Sequence, residues 1–267
     1  MARLLAAAGS RLAGLWLLSL VILSLVPSEV RGGAWPAPKG EGQIILKADT
    51  YQADMAFNPA GQSEPLTDPV RLRTLDLWGE YGLSSTVTAE VQGRVSQGRI
   101  GAVDVKGLDT LRIGLRTSLL SPKAPLKVAA GLYREWPGRL GVSETLGVRS
   151  LSAVSEARIL AGGTTRLRKH TLVAEIQLAE RRGDDGVREQ RQDLTLILSR
   201  NPRQQVITQV YSGKRHEPSG HVRWVTSEVT YLQACGRWRC QIGVRQTLDG
   251  RGTPKGQAFV LGLWARF

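Results

Sequence analysis

The feature that most constrains this 267-residue chain is an alternation of apolar and polar residues with period two, which recurs from residue 43 to the last residue. It is clearest at the end. Gln257, Phe259, Leu261, Leu263, Ala265 and Phe267 fall on one face, and Ala258, Val260, Gly262, Trp264 and Arg266 on the other. Side chains alternate across a strand, so the first face is almost unbroken apolar surface. Earlier segments repeat the pattern. Val87, Ala89, Val91, Gly93 and Val95 oppose Thr88, Glu90, Gln92 and Arg94, while Leu172, Ala174, Ile176 and Leu178 oppose Val173, Glu175, Gln177 and Ala179. In these segments the charges sit opposite the apolar face.

Counting such segments predicts about twelve strands, starting near residues 43, 71, 86, 108, 125, 150, 170, 190, 204, 222, 239 and 257. The alternation is interrupted in those starting at 71, 150 and 204. The connections are expected to alternate in length. Long ones hold turn-formers such as Asn58-Pro59, Asp184-Asp185-Gly186 and Asp249-Gly250, and short ones run from Gly82 to Ser85 and from Arg200 to Arg203. Even strand number with loops sorted by length is the arrangement of transmembrane barrels. A soluble sandwich also alternates, but it has no reason to sort its loops. In lipid every backbone donor and acceptor must be paired internally, so the sheet must close. The expected fold is therefore all-β: a transmembrane antiparallel up-and-down β-barrel of about 12 strands, with a bore between the filled and the open extremes.

The start of the chain is read as a targeting segment. Arg3 and Arg11 precede an apolar run from Leu12 to Val26, broken at Pro27 and followed by Gly32, Gly33 and Ala34. That is the layout of a cleaved signal peptide, with cleavage after Ala34 or Gly32. The division expected is residues 1–34 as leader and 35–267 as barrel. A membrane anchor is the alternative, but the run is shorter than the roughly 20 residues a spanning helix needs. The formal charge of +13 raises nucleic acid as a partner. Export and the scatter of the basic residues argue against it, so no nucleic acid is expected. Outer-membrane lipid and lipopolysaccharide are the expected partners, and the charge is expected to meet lipopolysaccharide phosphates, acidic solutes or acidic residues on neighbouring strands.

Several segments resemble a family of proteobacterial outer-membrane β-barrel proteins with no established activity. They are residues 35–43, Glu80-Tyr81-Gly82-Leu83-Ser84, Glu156-Ala157-Arg158-Ile159-Leu160, and the tail from Gly250 to Phe267. The tail also resembles the C-terminal assembly signal of such barrels, carried here by Phe259, Leu261, Leu263 and Phe267. Ala265 departs from the usual aromatic. The resemblance implies the outer membrane of a Gram-negative bacterium, with the barrel assembly machinery and periplasmic chaperones as partners.

Residues that could carry chemistry are few. Cys235 and Cys240 lie in one turn, and in an oxidising compartment such neighbours are expected to form a disulfide. A metal site would need further ligands, and no histidine lies near in sequence. His216 and His221 share a segment with Ser219, which raises a hydrolase, but catalysis needs such groups held by rigid elements. No cofactor, metal or catalytic residue is expected. By parity Arg94, Arg112, Arg116, Arg158, Glu175 and Arg245 face the lumen, as do Lys47, Asp49, Asp76, Glu80, Glu90, Glu156, Arg181 and Glu228. Signs nearly balance there, so cross-strand pairing is expected. The surplus is assigned to turns and loops, among them Lys214, Arg215, Arg251 and Lys255. Tyr81, Trp136, Trp224, Tyr231 and Trp238 suit interfacial belts. The function expected is a passive porin-like channel for small polar solutes, with no enzymatic step. The alternative is an occluded structural barrel whose outer loops bind envelope partners.

Overall fold

The computed structural model describes residues 33–121, 123–138, 142–143, 148–149, 152–217 and 220–267. Twelve strands close into one antiparallel barrel. They are β1 (Gly42–Phe57), β2 (Ser63–Gly82), β3 (Val87–Ile100), β4 (Val103–Ser118), β5 (Leu126–Pro137), β8 (Val154–Leu167), β9 (His170–Gly183), β10 (Arg188–Asn201), β11 (Gln204–Glu217), β12 (Gly220–Cys235), β13 (Trp238–Arg251) and β14 (Thr253–Arg266). A two-strand hairpin, β6 (Val142–Ser143) with β7 (Val148–Arg149), sits in the connection between β5 and β8. No helix occurs among the described residues.

Each barrel strand pairs with its neighbours in sequence, and β1 closes the ring on β14. The closing seam is in register from Gln43 opposite Arg266 to Gln52 opposite Gln257. At its end Gly42 N donates to Phe267 O at 2.8 Å and Phe267 N to Gly42 O at 3.1 Å. Tyr81 and Phe267 stack over that joint with ring centres 6.4 Å apart. Both ends of the ring thus meet at one rim, called here the near rim.

Outward residues form registered apolar rows. Ile242, Leu261, Ala48, Leu75, Val95 and Leu108 make one; Leu263, Leu46 and Leu77 lie in the next. Leu132, opposite Leu115 and Ala157, is 71% exposed. This belt on the outside, with charge on the inside, inverts the pattern of a water-soluble barrel and suits a wall surrounded by hydrocarbon.

Higher on β1 to β4 the pattern turns over. Outward positions become Thr50, Gln52, Arg71, Arg73, Gln97, Arg99 and Lys106, all exposed. The inner face there is an apolar cluster of Tyr51, Ala53, Val70, Leu72, Val105 and Ala258. Strands of 12–20 residues exceed the roughly 9–11 that a bilayer core needs. The surplus explains where the expected long connections went. Residues 58–62 alone join β1 to β2, residues 101–102 join β3 to β4, and residue 252 joins β13 to β14. Only the connection of residues 138–153 is long.

Two expectations on single residues change. Tyr81, Trp136, Tyr231 and Trp238 are exposed on the outer surface, but Trp224 is only 4% exposed and faces the bore. Gly213, its cross-strand partner, makes the room: a Cβ there would lie 2.2 Å from the indole. The expected start near residue 150 lies outside the described residues, and the strand begins at Val154.

A cation at the belt's centre tests the lipid-facing assignment. Leu132→Arg should lower the unfolding free energy by about 2–4 kcal/mol in lipid bilayers. Urea titration followed by tryptophan fluorescence would read it, and no loss would contradict the assignment.

Candidate functional site: the barrel lumen

The lumen is lined by charges that the strand period delivers inward and that pair along one strand, between neighbouring strands and across the bore. Glu80 and Glu90 stand directly opposite each other on β2 and β3. Like charges in that position repel. Arg116 on β4 resolves the conflict, with 2.9 Å to Glu80 and 2.7 Å to Glu90. All three groups are almost fully buried.

Glu156 on β8 is a second hub. Its carboxylate lies 2.6 Å from Arg158, 3.1 Å from Arg181 and 3.5 Å from Arg112. Arg181 extends the network to Glu135 at 2.7 Å and Glu189 at 2.9 Å, and Glu189 also meets Arg191. Tyr133 lies beneath two of these cations, with Arg112 4.8 Å and Arg158 5.5 Å from its ring centre. Such contacts add cation–π attraction to the ion pairs.

Two of the remaining pairs run as chords. Lys47 on β1 meets Glu228 on β12 at 2.7 Å, and Arg245 on β13 meets Asp49 on β1 at 2.9 Å. Arg94 forks onto Asp76 with bonds of 2.8 and 3.0 Å. Two-pronged geometry of this kind fixes orientation as well as charge.

The near end of the bore is filled by chain. Residues 33–39 run into it ahead of β1. Ala34, fully buried, donates its N–H to Glu175 at 2.6 Å. Arg116 donates to Trp35 O at 3.1 Å, and Ala37 N donates to Thr88 Oγ1 at 2.9 Å. Lys39 then bridges to Gly82 in parallel. The sequence puts the border of the leader at this stretch, and nothing in its residue types signals that it enters the barrel.

Three cavities follow one another along the axis. The one near residues 33–35 measures about 210 Å³, the central one about 450 Å³, and the one toward the far rim about 150 Å³. The first two share Ile45, Gln177, Gln209 and Trp264; the last two share Arg94, Arg112 and Arg191. Their walls are mainly polar side chains with a few aromatic rings.

The structure puts Arg94, Arg112, Arg116, Arg158 and Arg245 on the wall of the central cavity and Glu175 on that of the inner one. The wall also carries Glu135, Glu189 and Arg191, which the parity list does not include. Arg215, expected in a loop, is on β11, faces inward and is 9% exposed. Phe259, Leu261, Leu263 and Phe267 are exposed on the outer surface of the closing strand.

Cys235 and Cys240 are both exposed free thiols, so the expected disulfide is not formed in this structure. Cys235 stands opposite Trp238 and Cys240 opposite Gln233, so the two thiols are diagonal neighbours across the β12–β13 hairpin, close enough to hydrogen-bond to each other. His216 and His221 face each other on the outer surface, ring centres 4.5 Å apart, and Ser219 lies outside the described residues. No group of three metal-binding side chains occurs among the described residues.

No family model and no curated protein matches the chain. Solved structures do. The COG4313 outer membrane channel from Pseudomonas putida F1 superposes with a TM-score of 0.65 at 15% identity, over 90% of this chain and all of that one. The KdgM porin gives 0.49 at 7% identity over 84% and 99%. The translocator domain of the autotransporter NalP from Neisseria meningitidis gives 0.47 at 10% identity over 98% and 97%. The likeness is one of fold. This is a twelve-stranded barrel of the bacterial outer-membrane type.

Removing one hub should expose the cost of buried charge. Glu156→Gln leaves three guanidinium groups short of a partner, and losses of about 3–5 kcal/mol accompany such broken pairs. Guanidinium unfolding of the reconstituted barrel should show a drop of that order; an unchanged midpoint would mean that the network is not balanced through Glu156.

Proposed function

We propose that the mature chain sits in a bacterial outer membrane, after removal of a leader that ends at Gly32, as a narrow passive channel for small polar solutes and ions. The observation that supports this most is the file of three adjoining polar cavities along the axis. Selectivity in such a path would come from width and lining charge, without cofactor or catalytic step. Arg94, Arg112, Arg116 and Arg158 line the central cavity, but each lies close to a carboxylate, so discrimination would be by size more than by sign. The exposed apolar face ending in Phe267 supports delivery by periplasmic chaperones and the barrel assembly machinery.

A second reading, an occluded barrel, is favoured by one feature. Residues 33–39 fill the near end, pinned by Glu175, Arg116 and Thr88. The two readings part in a planar bilayer. The intact protein should give small, steady conductance steps, and a variant lacking residues 33–39 should conduct several-fold more. Silence from the intact protein with conductance from the truncated one would favour occlusion. Silence from both, with folded barrels, would remove the channel.

A further inference from the structure

Outside the lumen, the outer wall carries a groove of about 1060 Å³ toward the far rim. Its floor and edges come from β1, β2, β3, β4, β13 and β14. Two irregularities shape it. Register shifts interrupt β1 between Gln52 and Met55 and the β3–β4 ladder between Arg94 and Val95, and bulges of this kind bend a strand. Gly98, at φ +151°, then brings β3 against β2: a Cβ there would lie 2.0 Å from Arg71 O.

The groove straddles the level where the wall changes character. Val244 and Phe259, opposite each other on β13 and β14, are apolar and exposed at its lower side. Above them the outward rows read Thr50, Arg73, Gln97, Lys106 and then Gln52, Arg71, Arg99, Asp104. Arg71 is drawn to Asp54 at 2.5 Å and Arg99 to Asp104 at 3.4 Å. Arg73 and Lys106, on either side of Gln97, make no ion pair among the described residues. Behind this face lies the apolar cluster around Leu72 and Val105, which gives the cations a stiff backing.

A surface that is apolar below, cationic above and rich in amide donors between is complementary to an amphiphile with acyl chains and a phosphorylated sugar head. We infer that this groove binds a phosphorylated glycolipid of the outer leaflet, acyl chains along Val244 and Phe259 and a phosphate between Arg73 and Lys106. Arginine grips phosphate with two parallel bonds and lysine as a point charge. The inference rests on the outer-membrane placement proposed above, which orients the far rim toward the cell exterior.

The test uses the full mature barrel in detergent, with bis-phosphorylated lipid A as probe and native mass spectrometry as readout. The intact protein should retain one lipid A. Arg73→Glu with Lys106→Glu should weaken retention at least tenfold, and Arg73→Gln with Lys106→Gln should weaken it without reversing charge. Lys214→Glu, on the outer face of β11, should leave it unchanged. Dephosphorylated lipid A should be lost from the intact protein. Equal retention by the double variants, or of the dephosphorylated lipid, would overturn the inference, and so would equal retention of phosphatidylglycerol, which would show preference for any anionic lipid. Heat-modified mobility on gels reports whether each variant is folded. Membrane fractionation of cells judges the placement separately: protein recovered with the outer membrane that retains no lipid A sinks the groove alone.

Discussion

An unpaired sheet edge cannot be tolerated in hydrocarbon, because each bare N–H and C=O there costs several kcal/mol. The rest of this molecule follows from how that edge is removed. The seam between β1 and β14 pairs the two ends of the sheet, and the mutual bonds of Gly42 and Phe267 finish it. Once the ring closes, each strand has one face toward lipid and one toward the axis. Apolar residues are committed to the outside, so polar and charged residues must be accommodated within.

Accommodation inside is demanding, since desolvated charges are costly unless each finds a partner. The strands answer by setting acids and bases within reach of one another along and across the staves of the barrel. Arg116 bridges two facing glutamates, Glu156 gathers three arginines, and Lys47 and Arg245 reach across closed turns of the wall to Glu228 and Asp49. The formal surplus of +13 therefore does not accumulate in the bore. It is carried largely by exposed groups such as Arg71, Arg73, Lys106 and Lys214. A lumen held by such chords is narrow because its side chains are engaged with one another rather than drawn back against the wall.

The spanning part of this arrangement was legible in the sequence because lipid imposes one apolar face on each strand. Strand starts fall within a few residues for most strands, and the inward charges follow from parity alone. The upper wall was not legible. There the outer face is polar, as at Thr50, Gln52 and Asp54 on β1, and the inner face is apolar, so the pattern that marks a lipid-facing strand is absent. Arg215 was lost the same way. On β4 the irregularity beside Asp109 swaps outward positions from odd to even: Leu111 and Ile113 lie outside below it, Leu108 and Lys106 above. Residues 33–39 carry no periodic signal, because their position depends on single bonds to Glu175, Arg116 and Thr88 rather than on a ladder.

The inversion along β1 to β4 connects the two surfaces of the wall. Where the outside is apolar the inside is charged, and where the outside turns charged the inside becomes the cluster of Tyr51, Val70, Leu72 and Val105. A strand offers only two faces, so the height at which the charges change sides marks the height at which the surrounding medium changes. Hydrocarbon outside favours the first arrangement, and water or headgroups outside allow the second. The same wall segment thus carries apolar packing on its inner side while presenting cations on its outer side. Register shifts in the β1–β14, β1–β2 and β3–β4 ladders bend the strands there. The inner apolar cluster and the basic groove are two consequences of one change in patterning.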